Sequence, residues 1–230
     1  MSSPAQAEGF LGRLVDGMIR RSVRKAFHGV YWIPPAEPVA QPCIITPNHH
    51  GWHDGYVMYL ALTKLGWPFL DWITEFDSFP LFAKVGGMPF PRDDAAGRAA
   101  TIRQTVRRLK SGERNLLLFA ESELHRPPEL LPFGDALSFV ARKGGVQSVV
   151  PVAIRYEMSL HERPECFVVF GQPMPPSDTI QRDARLAVAK LLDQSATLIR
   201  HDRTAFQLLS AGTGDVNERL DVRKFQPWKR

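Results

Sequence analysis

The chain has 230 residues, 44% of them hydrophobic, which is enough for one well-buried domain and too little for two large ones. A formal net charge of +5 favours anionic partners: nucleic acid, anionic lipid or a phosphorylated substrate. Two cysteines far apart, Cys43 and Cys166, exclude a disulfide framework, and no apolar run approaches the roughly 18 residues that span a bilayer.

The first residues lack the basic and apolar regions of a signal peptide, so the expected location is cytoplasmic, peripheral on the inner face of a membrane if on any. Residues 9–29 read as a basic amphipathic helix. Phe10, Leu14, Val15, Met18, Ile19, Ser22 and Val23 recur at helical spacing, with Arg13, Arg20, Arg24 and Lys25 largely on the other side. Such a helix suits a membrane interface, and its apolar face would serve equally to pack on the domain. Pro34, Pro35, Pro38 and Pro42 then form a stiff connector that cannot continue a helix.

From residue 43 onward, strand-length apolar runs alternate with helical patterns. The predicted strands are 43–46, 69–74, 115–119, 149–154 and 166–170; the predicted helices are 54–65, 94–111, 135–143 and 181–200. This alternation predicts an α/β fold with a mixed sheet covered by helices. The expected organisation is an N-terminal segment over 1–34, a folded domain over 35–209 and a loosely held polar tail over 210–230.

The richest chemistry lies between the first two of these elements, in Asn48-His49-His50-Gly51-Trp52-His53-Asp54-Gly55. A His and an Asp five residues apart at a strand-to-helix turn can face one another. The Asp then accepts a hydrogen bond from one imidazole nitrogen and leaves the other free as a general base. No protein nucleophile accompanies the pair, which suits a reaction whose substrate brings its own hydroxyl.

Four segments in order resemble the glycerolipid acyltransferases, the lysophospholipid acyltransferase family of the 1-acylglycerol-3-phosphate type. The family's N-H-x-S-x-x-D block appears as Asn48 to Asp54, with Gly51 in place of Ser. The resemblance implies that His49 is the general base and that Asp54 holds its tautomer. A glycine-started turn ending in Arg fits Gly86-Gly87-Met88-Pro89-Phe90-Pro91-Arg92, with Arg92 the implied phosphate ligand. The F-P-E-G-T-R block is altered to Phe119-Ala120-Glu121-Ser122-Glu123-Leu124-His125-Arg126. Glu121 and Arg126 are expected at the polar end of the acceptor site. Ser122, standing where the family has Gly, loses free access to positive φ and predicts a different loop path. The fourth block, Val149 to Ile154, is expected to line an acyl tunnel, and the resemblance extends over about residues 43–175.

What this implies is acyl transfer from acyl-coenzyme A or acyl carrier protein, as co-substrate, to the hydroxyl of a lysophospholipid, lysophosphatidic acid first. No cofactor and no metal are required, and backbone N–H groups near Gly51 or in a nearby loop are expected to hold the oxyanion. The block-three departures keep open a non-glycerophosphate lipid or glycolipid acceptor, or a lipid-binding protein without catalysis. Two further readings compete. His49, His50, His53 and Asp54 could ligate a metal, but the other histidines, His28, His125, His161 and His201, form no ligand-like pairs by spacing. The basic stretch 92–114 could face nucleic acid, but no recognisable motif accompanies it, so no nucleic-acid partner is expected.

Overall fold

The computed structural model describes residues 6, 7 and 9–220. Helix α1 (Gly9–Ala26) leads into strand β1 (Gly29–Ile33), then β2 (Cys43–Pro47), α2 (Asp54–Leu65), β3 (Phe69–Ile73) and β4 (Gly87–Pro89). There follow α3 (Ala95–Lys110), β5 (Asn115–Leu117), α4 (Ala136–Gly144), β6 (Ser148–Glu157), β7 (Glu165–Phe170), α5 (Ile180–His201), β8 (Gln207–Ala211) and α6 (Val216–Arg219). The strands form one eight-stranded sheet in the order β4-β3-β5-β2-β6-β7-β1-β8. The first five run parallel, and β7 turns antiparallel to β6. β1 is parallel to β7, and β8 closes that edge antiparallel to β1. The sheet is therefore mixed, as the alternating pattern predicts.

β2 is flanked on both sides and buried along its whole length, which is why Cys43 to Thr46 reads as a continuous apolar run rather than an alternating one. Successive side chains still point to opposite faces. Cys43 and Ile45 join the core under α1 and α2, while Ile44 joins the core under α3, α4 and α5. Both thiols are buried and unpaired, and burial pushes the Cys43 thiol up to about 12. β2 ends at Pro47, just before the loop 48–53, while β6 runs on beside that loop to Glu157, and the site stands at this end.

Two expected boundaries change. The apolar periodicity of the first helix runs on to Phe27, but the helix stops at Ala26, and Gly29–Ile33 becomes β1 between β7 and β8. A division at residue 34 would thus take a strand out of the sheet. At the other end, β8 crosses the expected boundary at 209/210. The amides of Gly212 and Thr213 then donate to the carbonyls of His28 and Phe27, at 3.1 and 2.9 Å. Residues 210–220 are built into the domain instead of trailing from it; residues 221–230 of the expected tail lie outside the described residues.

The face of α1 also divides. Gly12, Val15, Ile19 and Val23 are buried against the domain. Phe10 and Leu14, assigned to the same face, are 72% and 56% exposed, with Leu11 and Met18 beside them in solvent. Among the described residues, no helix is long and apolar enough to cross a membrane.

Candidate active site

β2 delivers Asn48 and His49 to the sheet end, and the chain turns once before α2 begins at Asp54. Asn48 fixes the turn from below. It is fully buried, and its side chain accepts from the Ile154 amide at 2.7 Å and donates to the Ile154 carbonyl at 2.9 Å. A side chain thus extends the β2–β6 ladder by one rung. His49 Nδ1 lies 3.0 Å from Asp54 Oδ2. A carboxylate only accepts, so the proton sits on Nδ1 and Nε2 is left as the basic nitrogen.

Asp54 has no solvent exposure, and a buried carboxylate must be satisfied. Its Oδ2 also accepts from the Gly51 amide at 2.8 Å, and its Oδ1 accepts a hydrogen bond from the Tyr156 hydroxyl. Burial, together with the neighbouring Asp54 charge, holds the Tyr156 phenol far above its ordinary pKa, so it stays a donor. The phenol ring stacks on Phe27, with centroids 5.5 Å apart. It also fills the space a side chain at 51 would need: a Cβ there would lie 2.7 Å from the ring's Cζ and 2.8 Å from its hydroxyl. Gly51 is therefore glycine for room, since its φ is not in the left-handed region.

Two cavities, each of about 360 Å³, meet at His49. The first is walled by apolar side chains, among them Ile19 of α1, Tyr56 and Tyr59 of α2, Phe69 of β3, and Phe82 and Val85. Exposed Trp52 and Leu124 also line it. The second carries Arg92 and Arg98 beside Trp72, Phe90 and Phe119. Arg98 donates to the carbonyls of Pro91 and Arg92, so its guanidinium holds the turn that presents Arg92. The two cavities share His49, Trp72, Thr74, Arg92, Phe119 and Ser122. His49 packs against the Phe119 ring at 4.3 Å. His49 thus stands where a largely apolar cavity meets one that adds Arg98 to the Arg92 they share.

Of the residues singled out by sequence, His49, Asp54, Gly51, Gly87 and Arg92 come together here, with Gly87 and exposed Arg92 both lining the apolar cavity. Other expectations need correction. Glu121 does not line either cavity. Its carboxylate is buried, accepting from the His49 amide at 2.7 Å, from His125 at 2.6 Å and from the Leu131 amide at 2.6 Å. It braces the backbone of His49 instead of meeting an acceptor. Arg126 is exposed and lines neither cavity. The Gly51 amide is spent on Asp54, so it is not an oxyanion donor. Ser122 adopts φ +59° despite its side chain, so the loop keeps the left-handed turn that a glycine would take freely. Residues 149–154 lie in the centre of the sheet and line neither cavity.

The clustered histidines also separate. His50 accepts from Asn48 at Nδ1 and faces the Glu129 carbonyl with Nε2, while His53 meets Ser22. Desolvation lowers the pKa of both. Among the described residues, neither forms a ligand-like group with His49 and Asp54. Two residues the sequence did not signal also belong here. Tyr156 comes from the far end of β6, two positions beyond the Ile154 that Asn48 grips. Asp71 of β3 lines the apolar cavity, where burial pushes its carboxyl up to about 7.

Comparison with known proteins agrees with this arrangement. A family model described as Acyltransferase matches residues 26–155. A search of curated protein sequences returned no match. Among solved structures, the chain is similar to the crystal structure of the 1-acyl-sn-glycerophosphate (LPA) acyltransferase PlsC from Thermotoga maritima. That match has a TM-score of 0.57 at 18% identity, over 80% of this chain and 79% of the other.

Proposed function

We propose that this chain, which belongs to the acyltransferase family, moves a fatty acyl group from a thioester of coenzyme A or acyl carrier protein to the hydroxyl of a lysophospholipid. The observation that carries the reading is the position of His49: its Asp54-oriented imidazole stands where an apolar cavity joins one bearing Arg92 and Arg98. In this reading the acyl chain lies among Ile19, Tyr59, Phe69 and Val85. The acceptor's phosphate meets Arg92, whose planar fork pairs two oxygens at once.

The chemistry then follows. His49 Nε2 takes the acceptor hydroxyl proton as the oxygen attacks the thioester carbonyl carbon. Asp54 stabilises the imidazolium that forms. The tetrahedral intermediate expels the sulfur, the C–S bond breaks, and His49 returns the proton to the departing thiolate. The Tyr156 hydroxyl and the Gly51 amide act on Asp54 and hold it in one orientation, so they are positioning groups and not reactants. Glu121 does the same for the backbone of His49. Lysophosphatidic acid is the first acceptor to test, because Arg92 and Arg98 remain as the cationic groups of the second cavity after Glu121 and Arg126 are set aside.

The protein is proposed to work peripherally on the inner, cytoplasmic face of a membrane. Exposed Phe10, Leu14 and Met18 on α1, with Arg21 and Lys25 also in solvent, offer apolar anchors and cations for an anionic surface. Phe10→Glu with Leu14→Glu should abolish co-sedimentation with anionic vesicles, and unchanged binding would reassign that strip.

The direct test is transfer of labelled acyl groups from acyl-coenzyme A, and separately from acyl carrier protein, to a panel of lysolipids. His49→Ala should lower turnover by about 10²–10⁴-fold with the fold intact. Arg92→Ala should chiefly raise the KM for phosphate-bearing acceptors. An active His49→Ala enzyme would refute the mechanism. Transfer only to uncharged or glycosylated lipids would refute the acceptor assignment while leaving the reaction class.

A further inference from the structure

Strand β3 breaks its own pattern at one position. In Phe69-Leu70-Asp71-Trp72-Ile73 alternate side chains share a face, and Phe69, Asp71 and Ile73 all line the apolar cavity. Leu70, between the first two, joins the core on the other side of the sheet. Asp71 lies in register with Leu117 of β5, whose side chain belongs to the core under α1 and α2. The carboxyl therefore stands on a face, and in an inner strand, where the pattern calls for an apolar group. Departures of this kind from a local rule concentrate at functional sites.

The other carboxylates of the region are occupied. Asp54 meets His49, Gly51 and Tyr156, and Glu121 meets His49, His125 and Leu131. Among the described residues, the Asp71 carboxyl has no hydrogen-bond or ion-pair partner, and native proteins seldom leave such a group unsatisfied. Its accessible part opens on the cavity. The space in front of it is clear. A Cβ added at Gly55, in the first turn of α2, would find Asp71 Oδ2 at 3.7 Å and nothing else within 4 Å outside its own helix. Gly55 lines the same cavity and directly follows Asp54, so this notch sits toward the dyad.

We propose that Asp71 selects the acyl donor: the chain held in this cavity carries a hydroxyl near its thioester end, which hydrogen-bonds to the Asp71 carboxyl in the notch beside Gly55. The proposal rests on the reading of this cavity as the seat of the acyl chain, and it names the class of chain that the cavity takes. A few placed polar groups in an otherwise apolar pocket are what fix a ligand's identity and orientation.

A neutral hydroxyl fits the carboxyl better than a cation does. Burial raises it to about 7, so near neutrality it holds its proton about half the time. In either form it accepts from a hydroxyl, and in the protonated form it also donates to one. An ammonium group would instead have to leave water for apolar walls, facing a carboxyl that is often uncharged. The phenol of Tyr59 in the same wall offers no substitute, because its hydroxyl is committed to Asp16 at 3.0 Å. The discrimination is also of the effective kind. A site built to hydrogen-bond a hydroxyl rejects the analogue that lacks one, since its own polar group is then left unpaired.

The experiment uses the full chain without acceptor, so that binding is read apart from turnover. Its probes are the N-acetylcysteamine thioesters of decanoic, β-hydroxydecanoic and ω-hydroxydecanoic acids, titrated by calorimetry. Wild type should bind the β-hydroxy probe about 10–100-fold more tightly than the plain one. Asp71→Leu should lose that preference, tightening the plain chain and weakening the hydroxylated one. Asp71→Asn should keep part of it, because an amide still pairs with a hydroxyl. The same order should appear in kcat/KM when coenzyme A thioesters of these acids are supplied with lysophosphatidic acid. Equal wild-type affinity for the plain and β-hydroxy probes would overturn the proposal, with no variant needed. So would a preference that survives Asp71→Leu, or one for the ω-hydroxy probe alone. Transfer of every chain without preference would overturn it and leave acyl transfer standing. A binding preference that depends on Asp71, with no transfer to any lysolipid, would uphold the hydroxyl site and refute the lysophospholipid reading instead.

Discussion

Gly51→Ala is the sharpest perturbation of the candidate site, because one methyl group tests three contacts at once. The added Cβ would lie 2.7 and 2.8 Å from Cζ and the hydroxyl of Tyr156, and closer still to Cε2, so the ring must move. It is not free to do so cheaply, since it stacks on Phe27 at 5.5 Å. Overpacking of this kind costs about 1–3 kcal/mol. Displacing the phenol also removes a hydrogen bond to the ionised Asp54, worth about 1.5–3 kcal/mol. The backbone conformation itself adds nothing, because Gly51 has no positive φ. Turnover should therefore fall by roughly 10–100-fold as Asp54 loosens its hold on His49, with a loss of stability of about 2.5–6 kcal/mol if the phenol is fully displaced. Tyr156→Phe should lose activity with little loss of packing, since only the hydroxyl goes. The decisive assay is the double-mutant cycle with Tyr156→Ala, read by kcat and by urea unfolding. Removing the ring should make Gly51→Ala nearly harmless to stability. Equal damage from Gly51→Ala with and without the ring would refute the reasoning.

Three further outcomes follow from the same geometry. Glu121→Gln presents an amide N–H to the Leu131 amide or to His125, so it should lower kcat and stability by about 1.5–3 kcal/mol while leaving the acceptor KM unchanged; a selective rise in KM would return Glu121 to the substrate. Ser122→Gly relieves a left-handed serine and should raise stability by up to about 1 kcal/mol in denaturant melts, and a loss there would show that the hydroxyl matters more than φ. Asp71 has its carboxyl raised from 3.8 to about 7 by burial, so the folded state holds a proton that the unfolded state releases. Stability should fall as pH rises from about 4 to about 7 and then level off; Asp71→Asn should remove that part of the slope, and an identical pH profile would contradict it.

What the sequence could and could not show follows from how far each feature reaches along the chain. Helix α2 matches the predicted 54–65, and β2, β3 and β7 fall within about a residue of their expected bounds, because each carries its own period or apolar run. β1, β4 and β8 were not legible. β1 follows an amphipathic helix whose periodicity runs on through Phe27, β4 is only Gly87–Pro89, and β8 is a half-exposed edge strand. The dyad was legible because both members lie in one turn. Tyr156 was not, because only the pairing of β2 with β6 carries it above Asp54. The stacking of the His28 and His161 rings was hidden for the same reason, since β1 and β7 meet only in the folded sheet.

Gly51 and Tyr156 together explain how the block around His49 tolerates its departure from the family's serine. A side chain at 51 and a phenol from β6 compete for one volume beside Asp54, and only one can occupy it. In this chain the phenol does, and it brings a hydroxyl to Oδ1 while the Gly51 amide takes Oδ2 with His49. Glycine at 51 is thus the condition for Tyr156 to reach the carboxylate, and not a weakening of the motif. The altered third block reads the same way. Glu121, released from any cavity, grips the His49 amide, while Ser122 keeps the turn that lets Phe119 pack on the imidazole. Both departures leave His49 held from two independent directions, so the chemistry proposed for it rests on strand pairing as much as on the eight residues around it.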